Sequence, residues 1–257
     1  MEFEHTFPPV AAAAEPEPPS DRTPLGFADM AKALAVIIAA LIAVGTPAFI
    51  AAVEIAGGAD AVEDDPTAMA LLEGTSAVFQ LILLAAAAWF SVRKYHVGWS
   101  ALGLKAPVRG SWWAGVILFF AAITLFGVYA AFLDLAGVDA ESNVADPEGN
   151  VPRVIILAVV ALAFAPFIEE IVFRGFVFGG LRGRWGLAAA ALASALLWSL
   201  AHFQDSSSLP LLPGIALIGL LFAGAYYYTG SLVAPITAHL AFNTLSFAYG
   251  ILLGTIT

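Results

Sequence analysis

The chain has 257 residues, of which 61% are hydrophobic and 12% charged, with a formal net charge of −10 and no cysteine. A soluble domain carries about 25% charged residues, so this composition, with a mean hydropathy of +0.90, excludes a soluble globular enzyme and a disordered chain. Net negative charge repels phosphate and excludes a nucleic-acid partner, and the lack of cysteine removes disulfides, thiolate catalysis and cysteine-held metals.

Residues 1–27 open the chain as a proline- and glutamate-rich tail, in which Pro8, Pro9, Pro16, Pro18 and Pro19 interrupt any amphipathic period. Such a stretch buries too little surface to offset its ordering entropy and is expected to be disordered. It has no basic region leading into a short apolar core, so it is not read as a cleaved signal peptide. Residues 28–257 read as the membrane domain, because their apolar runs reach the ~20 residues that cross a bilayer as a helix. Seven spans are expected, near 33–56, 69–92, 111–136, 153–178, 187–203, 213–229 and 232–254. The fifth and sixth are short and Pro210 and Pro213 bracket the turn between them, so six to eight spans fit the pattern. An acidic loop, Asp60 to Asp65, follows the first span, and a second with Asp139, Glu141, Asp146 and Glu148 follows the third. The fold class is therefore an all-α, polytopic transmembrane helical bundle, with no internal repeat evident.

Lysine and arginine set the orientation. Arg22, Lys32, Arg93, Lys94, Lys105, Arg109, Arg182 and Arg184 share one side if the N-terminus is cytoplasmic; only Arg153 falls on the other, and Arg174 lies within a span. The expected topology is N-terminus inside and C-terminus outside.

A charge in mid-membrane costs about 2.5–3.5 kcal/mol on insertion scales, which makes intramembrane ionisable groups functional candidates. Three sets qualify. In span four, Glu169-Glu170-Ile-Val-Phe-Arg174 places Glu170 and Arg174 four apart with the acid first, the favourable order for a helical ion pair. Glu169 is rotated by about 100° from its neighbour and is left free for chemistry. Pro166 removes a backbone donor, so the helix is expected to kink or restart there, and a restart would put both glutamates in a first turn. In span five, Trp198 and His202 share a helix face, and in span seven His239 and Asn243 do the same. Each set has a plainer reading: a packing salt bridge, an interfacial histidine beside an aromatic belt, and interhelical hydrogen-bond glue. Depth favours the functional reading. Spans four and five form a hairpin in which Glu169 and His202 lie at the same height, about 25 Å from the turn. His239 and Asn243 lie about 14 and 20 Å into span seven. Three helices thus offer polar groups to a common layer.

Carboxylates and imidazoles without a serine or cysteine partner suggest general-base activation of water, with a histidine and an amide as donors to a developing oxyanion. Other intramembrane protease signatures are missing: the Gly-x-Ser at Gly74-Thr-Ser76 lacks a following glycine, and there is no His-Glu-x-x-His or Gly-x-Gly-Asp. Glu-Glu-x-x-x-Arg, aromatic-x-x-x-His and His-x-x-x-Asn on successive late helices resemble the motifs of the CPBP family (CAAX proteases and bacteriocin-processing enzymes, the Abi group). The resemblance covers about residues 95–250, with the motif-bearing core at about 150–250, and Trp198 stands where the family more often has Phe.

The resemblance implies an intramembrane endopeptidase. Glu169 would be the base on water, assisted by His202; His239 and Asn243 would form the oxyanion site; Glu170, Arg174 and Trp198 would support it. It implies no cofactor; were zinc bound instead, Glu169, His202 and His239 would be its ligands. The implied partners are the bilayer and a peptide or protein substrate, lipidated or a membrane-bound precursor, in a prokaryotic cell membrane. The competing readings are a non-catalytic immunity or scaffold protein and a proton-coupled transporter; transporters usually show internal repeats.

Overall fold

The computed structural model describes residues 25–107, 110–138, 151–203 and 206–252. Residues 1–24 of the tail read over 1–27, and the acidic loop of Asp139, Glu141, Asp146 and Glu148, lie outside the described residues, and Phe27 already opens a helix.

The described residues form seven helical segments. Helix α1 is Phe27–Ala56, α2 is Pro66–Arg93 and α3 is Ser111–Leu135. The next stretch, Val151–Leu200, is assigned as one helix of 50 residues. At 1.5 Å per residue that is about 75 Å, against a hydrocarbon core of about 30 Å. Gly186 divides it, with φ 77° and ψ 173°, a conformation open to glycine alone. Residues 151–185 are α4 and residues 187–200 are α5. Helix α6 is Leu209–Thr229 and α7 is Val233–Leu252. By length and composition five helices suit a membrane crossing, α4 and α5 being taken there as one. The protein is a polytopic membrane bundle, as the apolar runs require.

Helix α3 packs against α6 and α7, and α5 packs against α4 and α6. The inside of the bundle is rich in small residues: Ala33, Ala52, Ala68, Ala87, Ala122, Ala195, Ala223 and Ala238 are fully or almost fully buried. Large apolar residues such as Ile117, Val128, Phe132 and Leu135 face outward. Lipid offers no hydrophobic drive for helices to associate, so close backbone approach takes its place. Gly175 shows the tolerance: a Cβ there would lie 2.4 Å from the Leu102 carbonyl oxygen.

Most of the described basic residues gather at one end of the bundle. Lys94, just beyond α2, pairs with buried Asp29 at the start of α1, and Asp29 together with Tyr95 holds the Lys94 ammonium above the usual lysine range. Phe27 of α1 stacks with Trp185 at the turn between α4 and α5, and Arg182 lies over Tyr227 near the end of α6. Arg153, which the sequence leaves on the opposite side, is buried and forms an ion pair with Glu73 of α2, the closest contact being 2.6 Å.

Two expectations for the late helices are corrected. Helix α4 neither breaks nor restarts at Pro166. Its backbone instead widens into π-helical turns at Val159–Phe164 and Glu170–Phe178, so the glutamates lie mid-helix rather than in a first turn. The fifth span closes at Leu200, and His202 occupies the turn just beyond it.

Candidate active site

The hairpin of α4 and α5 builds half of the site. Its arms are pinned by the Ser194 hydroxyl donating to the Phe173 carbonyl at 2.7 Å, and they place Trp198 and His202 opposite Glu169. The Trp198 indole Nε1–H donates to Glu169 Oε2 at 2.7 Å. His202 Nε2 lies 3.9 Å from the same oxygen. The Nδ1–H of His202 donates to the Trp198 carbonyl, one helical turn back, at 2.8 Å. A carbonyl only accepts, so this bond puts a proton on Nδ1 and leaves Nε2 facing Glu169.

Helix α7 supplies the other half. His239 is buried between the two glutamates: its Nδ1–H donates to Glu170 Oε1 at 3.0 Å, and its Nε2 lies 4.0 Å from Glu169 Oε2. Glu170 is fully buried and also accepts from Arg174 Nη1 at 2.9 Å, the i,i+4 pair expected from the spacing. The Arg174 guanidinium carbon sits 4.3 Å from the Trp198 ring centroid and 5.2 Å from that of Phe222 in α6. Cation–π contacts of this kind offset part of the cost of burying the charge. Glu170 Oε2 and Arg174 Nε have no hydrogen-bond partner among the described residues.

The two glutamates therefore differ as the helical-face argument requires. Glu170 is committed to Arg174 and His239. Among the described residues Glu169 accepts a hydrogen bond from the indole alone, and it faces two imidazole nitrogens at 3.9 and 4.0 Å. Asn243 makes a bond to α4 that its spacing does not announce. Its Nδ2 donates to the Ala161 carbonyl of α4 at 2.8 Å. Pro166, five residues after Ala161, has no N–H for the i→i+5 bond of the surrounding π turn, and the Asn243 amide takes its place. Among the described residues one of its two amide hydrogens is used there and the other has no partner.

Zinc holds its ligands at about 2.0–2.2 Å in a tetrahedron, so neighbouring ligand atoms sit about 3.3 Å apart. The separations here, 3.9 and 4.0 Å, are wider, and Glu169 Oε2 already accepts the indole proton. Among the described residues no group of three or more His, Asp or Glu side chains is arranged to hold a metal ion.

Three contacts were not visible in the sequence. The donation from Trp198 to Glu169, the link from His239 to Glu170, and Phe222 beneath Arg174 all join residues on different helices. Only the shared face of Trp198 and His202 hinted at the first.

Comparison with known proteins bears on these same helices. The model of the family described as "Type II CAAX prenyl endopeptidase Rce1-like" matches residues 151–245, a stretch that holds Glu169, Glu170, Arg174, Trp198, His202, His239 and Asn243. An Escherichia coli protein named "Uncharacterized 24.3 kDa protein" is 32% identical over 103 residues, 39% of this chain and 47% of that protein. A Bacillus subtilis (strain 168) protein named "Putative membrane peptidase YdiL" is 32% identical over 94 residues, 37% of each chain. The chain thus spans less than half the length of these curated relatives. No solved structure matches it. The similarity to this family is confined to residues 151–245, less than half of the chain.

Proposed function

We propose that this protein is an intramembrane endopeptidase that hydrolyses a peptide bond with water activated by Glu169. The observation that carries the reading is the convergence on Glu169 Oε2 of His202 Nε2 and His239 Nε2, at 3.9 and 4.0 Å, while Glu170 is fully engaged elsewhere. A water in that space gives one hydrogen to Glu169 and the other to the His202 lone pair. Glu169 takes the proton as the water oxygen bonds to the peptide carbonyl carbon. The same proton then passes to the leaving nitrogen as the C–N bond breaks, which restores the carboxylate.

Glu169 and Glu170 together carry one more charge than Arg174 neutralises, so the cluster can host an extra proton. Placed on His239 Nε2, that proton donates to the developing oxyanion. The uncommitted hydrogen of the Asn243 amide is the second donor, held in place by the bond to Ala161. No metal takes part. The substrate is a peptide or membrane-bound protein precursor, with or without a prenyl chain. The basic end of the bundle faces the cytoplasm of a prokaryotic cell.

The test compares membrane proteomes from cells with wild-type protein, with Glu169→Gln and without the protein, reading new C-termini. New termini that depend on wild-type protein and vanish with Glu169→Gln are expected. Identical termini in all three samples overturn the reading, and a cellular phenotype that survives Glu169→Gln favours a binding or scaffolding role instead.

A further inference from the structure

Trp198 touches Glu169, Arg174, His202 and His239. Its side chain is buried and its ring meets His202 and His239 edge to face, with centroids 4.9 and 5.6 Å apart. Its indole N–H is on Glu169, its carbonyl orients His202, and its π face lies under Arg174. The carbonyl contact would survive any substitution. The N–H is what the indole alone supplies among apolar aromatic side chains.

Two consequences follow from this placement. A carboxylate oxygen has two lone-pair directions; the indole proton occupies one on Glu169 Oε2 and leaves the other toward the histidines. Arg174 over the ring draws π density toward the cation and strengthens the N–H as a donor. The charge that neutralises Glu170 thereby also acts on Glu169, through the ring rather than by direct contact.

We propose that Trp198 is a positioning residue, whose Arg174-polarised indole N–H fixes the Glu169 carboxylate in the orientation that presents Oε2 to the water at His202. This rests on the hydrolytic reading for its kinetic consequence, but the hydrogen bond itself can be read without turnover.

The closing experiment therefore has two arms on full-length protein in nanodiscs. In the first, the indole groups of the six tryptophans are labelled with nitrogen-15, and the Trp198 N–H signal is identified by its loss in Trp198→Phe. A proton donated to a carboxylate resonates at low field, so Glu169→Gln should move the Trp198 signal upfield while the other five hold position. A Trp198 signal unmoved by Glu169→Gln overturns the proposal whatever the activity.

In the second arm, Trp198→Phe keeps the ring and removes the donor. With a panel of internally quenched peptides as probes, one of them farnesylated, kcat should fall about 10–100-fold, the usual cost of losing an orienting partner, while KM stays within twofold. Replacing Trp198 with benzothienylalanine, which has sulfur in place of N–H at nearly the same shape, should reproduce the loss and keep the wild-type melting temperature. Full kcat in that variant overturns the positioning role while leaving the hydrolytic reading intact. Wild-type protein inactive on every probe counts against the hydrolytic reading, and the first arm then decides the Trp198 contact alone.

Discussion

Replacing each glutamate by glutamine separates the roles of two adjacent, chemically identical side chains. Glu170 is fully buried, accepts from Arg174 at 2.9 Å and from His239 at 3.0 Å, and faces no solvent. Glu170→Gln keeps the shape but leaves the fully buried Arg174 without its counter-ion. Its other hydrogen bond, to the Gly219 carbonyl, is long at 3.5 Å. Breaking a buried pair by removing one partner costs about 3–5 kcal/mol. At about 2–4 °C per kcal/mol for a chain of this size, the apparent melting temperature should fall by about 6–20 °C. Glu169 is partly exposed, at 14%, and is held by one donor. In Glu169→Gln the amide oxygen still accepts from the Trp198 indole, so the cost should stay under about 1 kcal/mol, the net worth of an ordinary hydrogen bond. Activity should nevertheless be lost, because an amide does not take a proton from water near neutral pH. Thermal unfolding in detergent, followed by tryptophan fluorescence or by size exclusion after heating, reads the difference. Equal melting temperatures for the two variants would refute the assignment of the ion pair to Glu170.

Other expectations follow from single contacts. Gly175→Ala should destabilise the protein by about 1–3 kcal/mol, the usual range for overpacking, because its Cβ meets backbone at Leu102 rather than a yielding side chain; a melting temperature at or above wild type would contradict this. Reporter fusions at Ala136 and at Arg184 should report opposite sides of the membrane, with Arg184 cytoplasmic, since α4 alone separates them in the described residues; both on one side would overturn the topology. Activity should survive a strong chelator and purified protein should carry well under one zinc per chain. One equivalent, with activity lost on its removal and restored on its return, would make Glu169, His202 and His239 ligands instead.

The sequence alone determined the membrane class, the places of the seven helical segments and the pairing of Glu170 with Arg174. Transfer energy is summed over about 20 neighbouring residues and an i,i+4 pair is set by one helical turn, so both are local properties. It also indicated that Glu169 and His202 share a depth, because a hairpin fixes heights by counting residues from its turn. Which way each helix is rotated about its axis is not local, and only the tertiary structure decided it. That rotation brings the Trp198 indole onto Glu169 and sets His239 between the two glutamates. It also brings the Asn243 amide onto the Ala161 carbonyl of α4. The π-helical turns belong to the same category. Pro166 announced a lost donor, but whether the helix would break or widen depended on an acceptor-satisfying amide arriving from α7, 82 residues away in the chain. In a medium without water, every freed carbonyl and buried charge must find a partner within the protein. Local periodicity shows which groups need one, and helix packing decides which group answers.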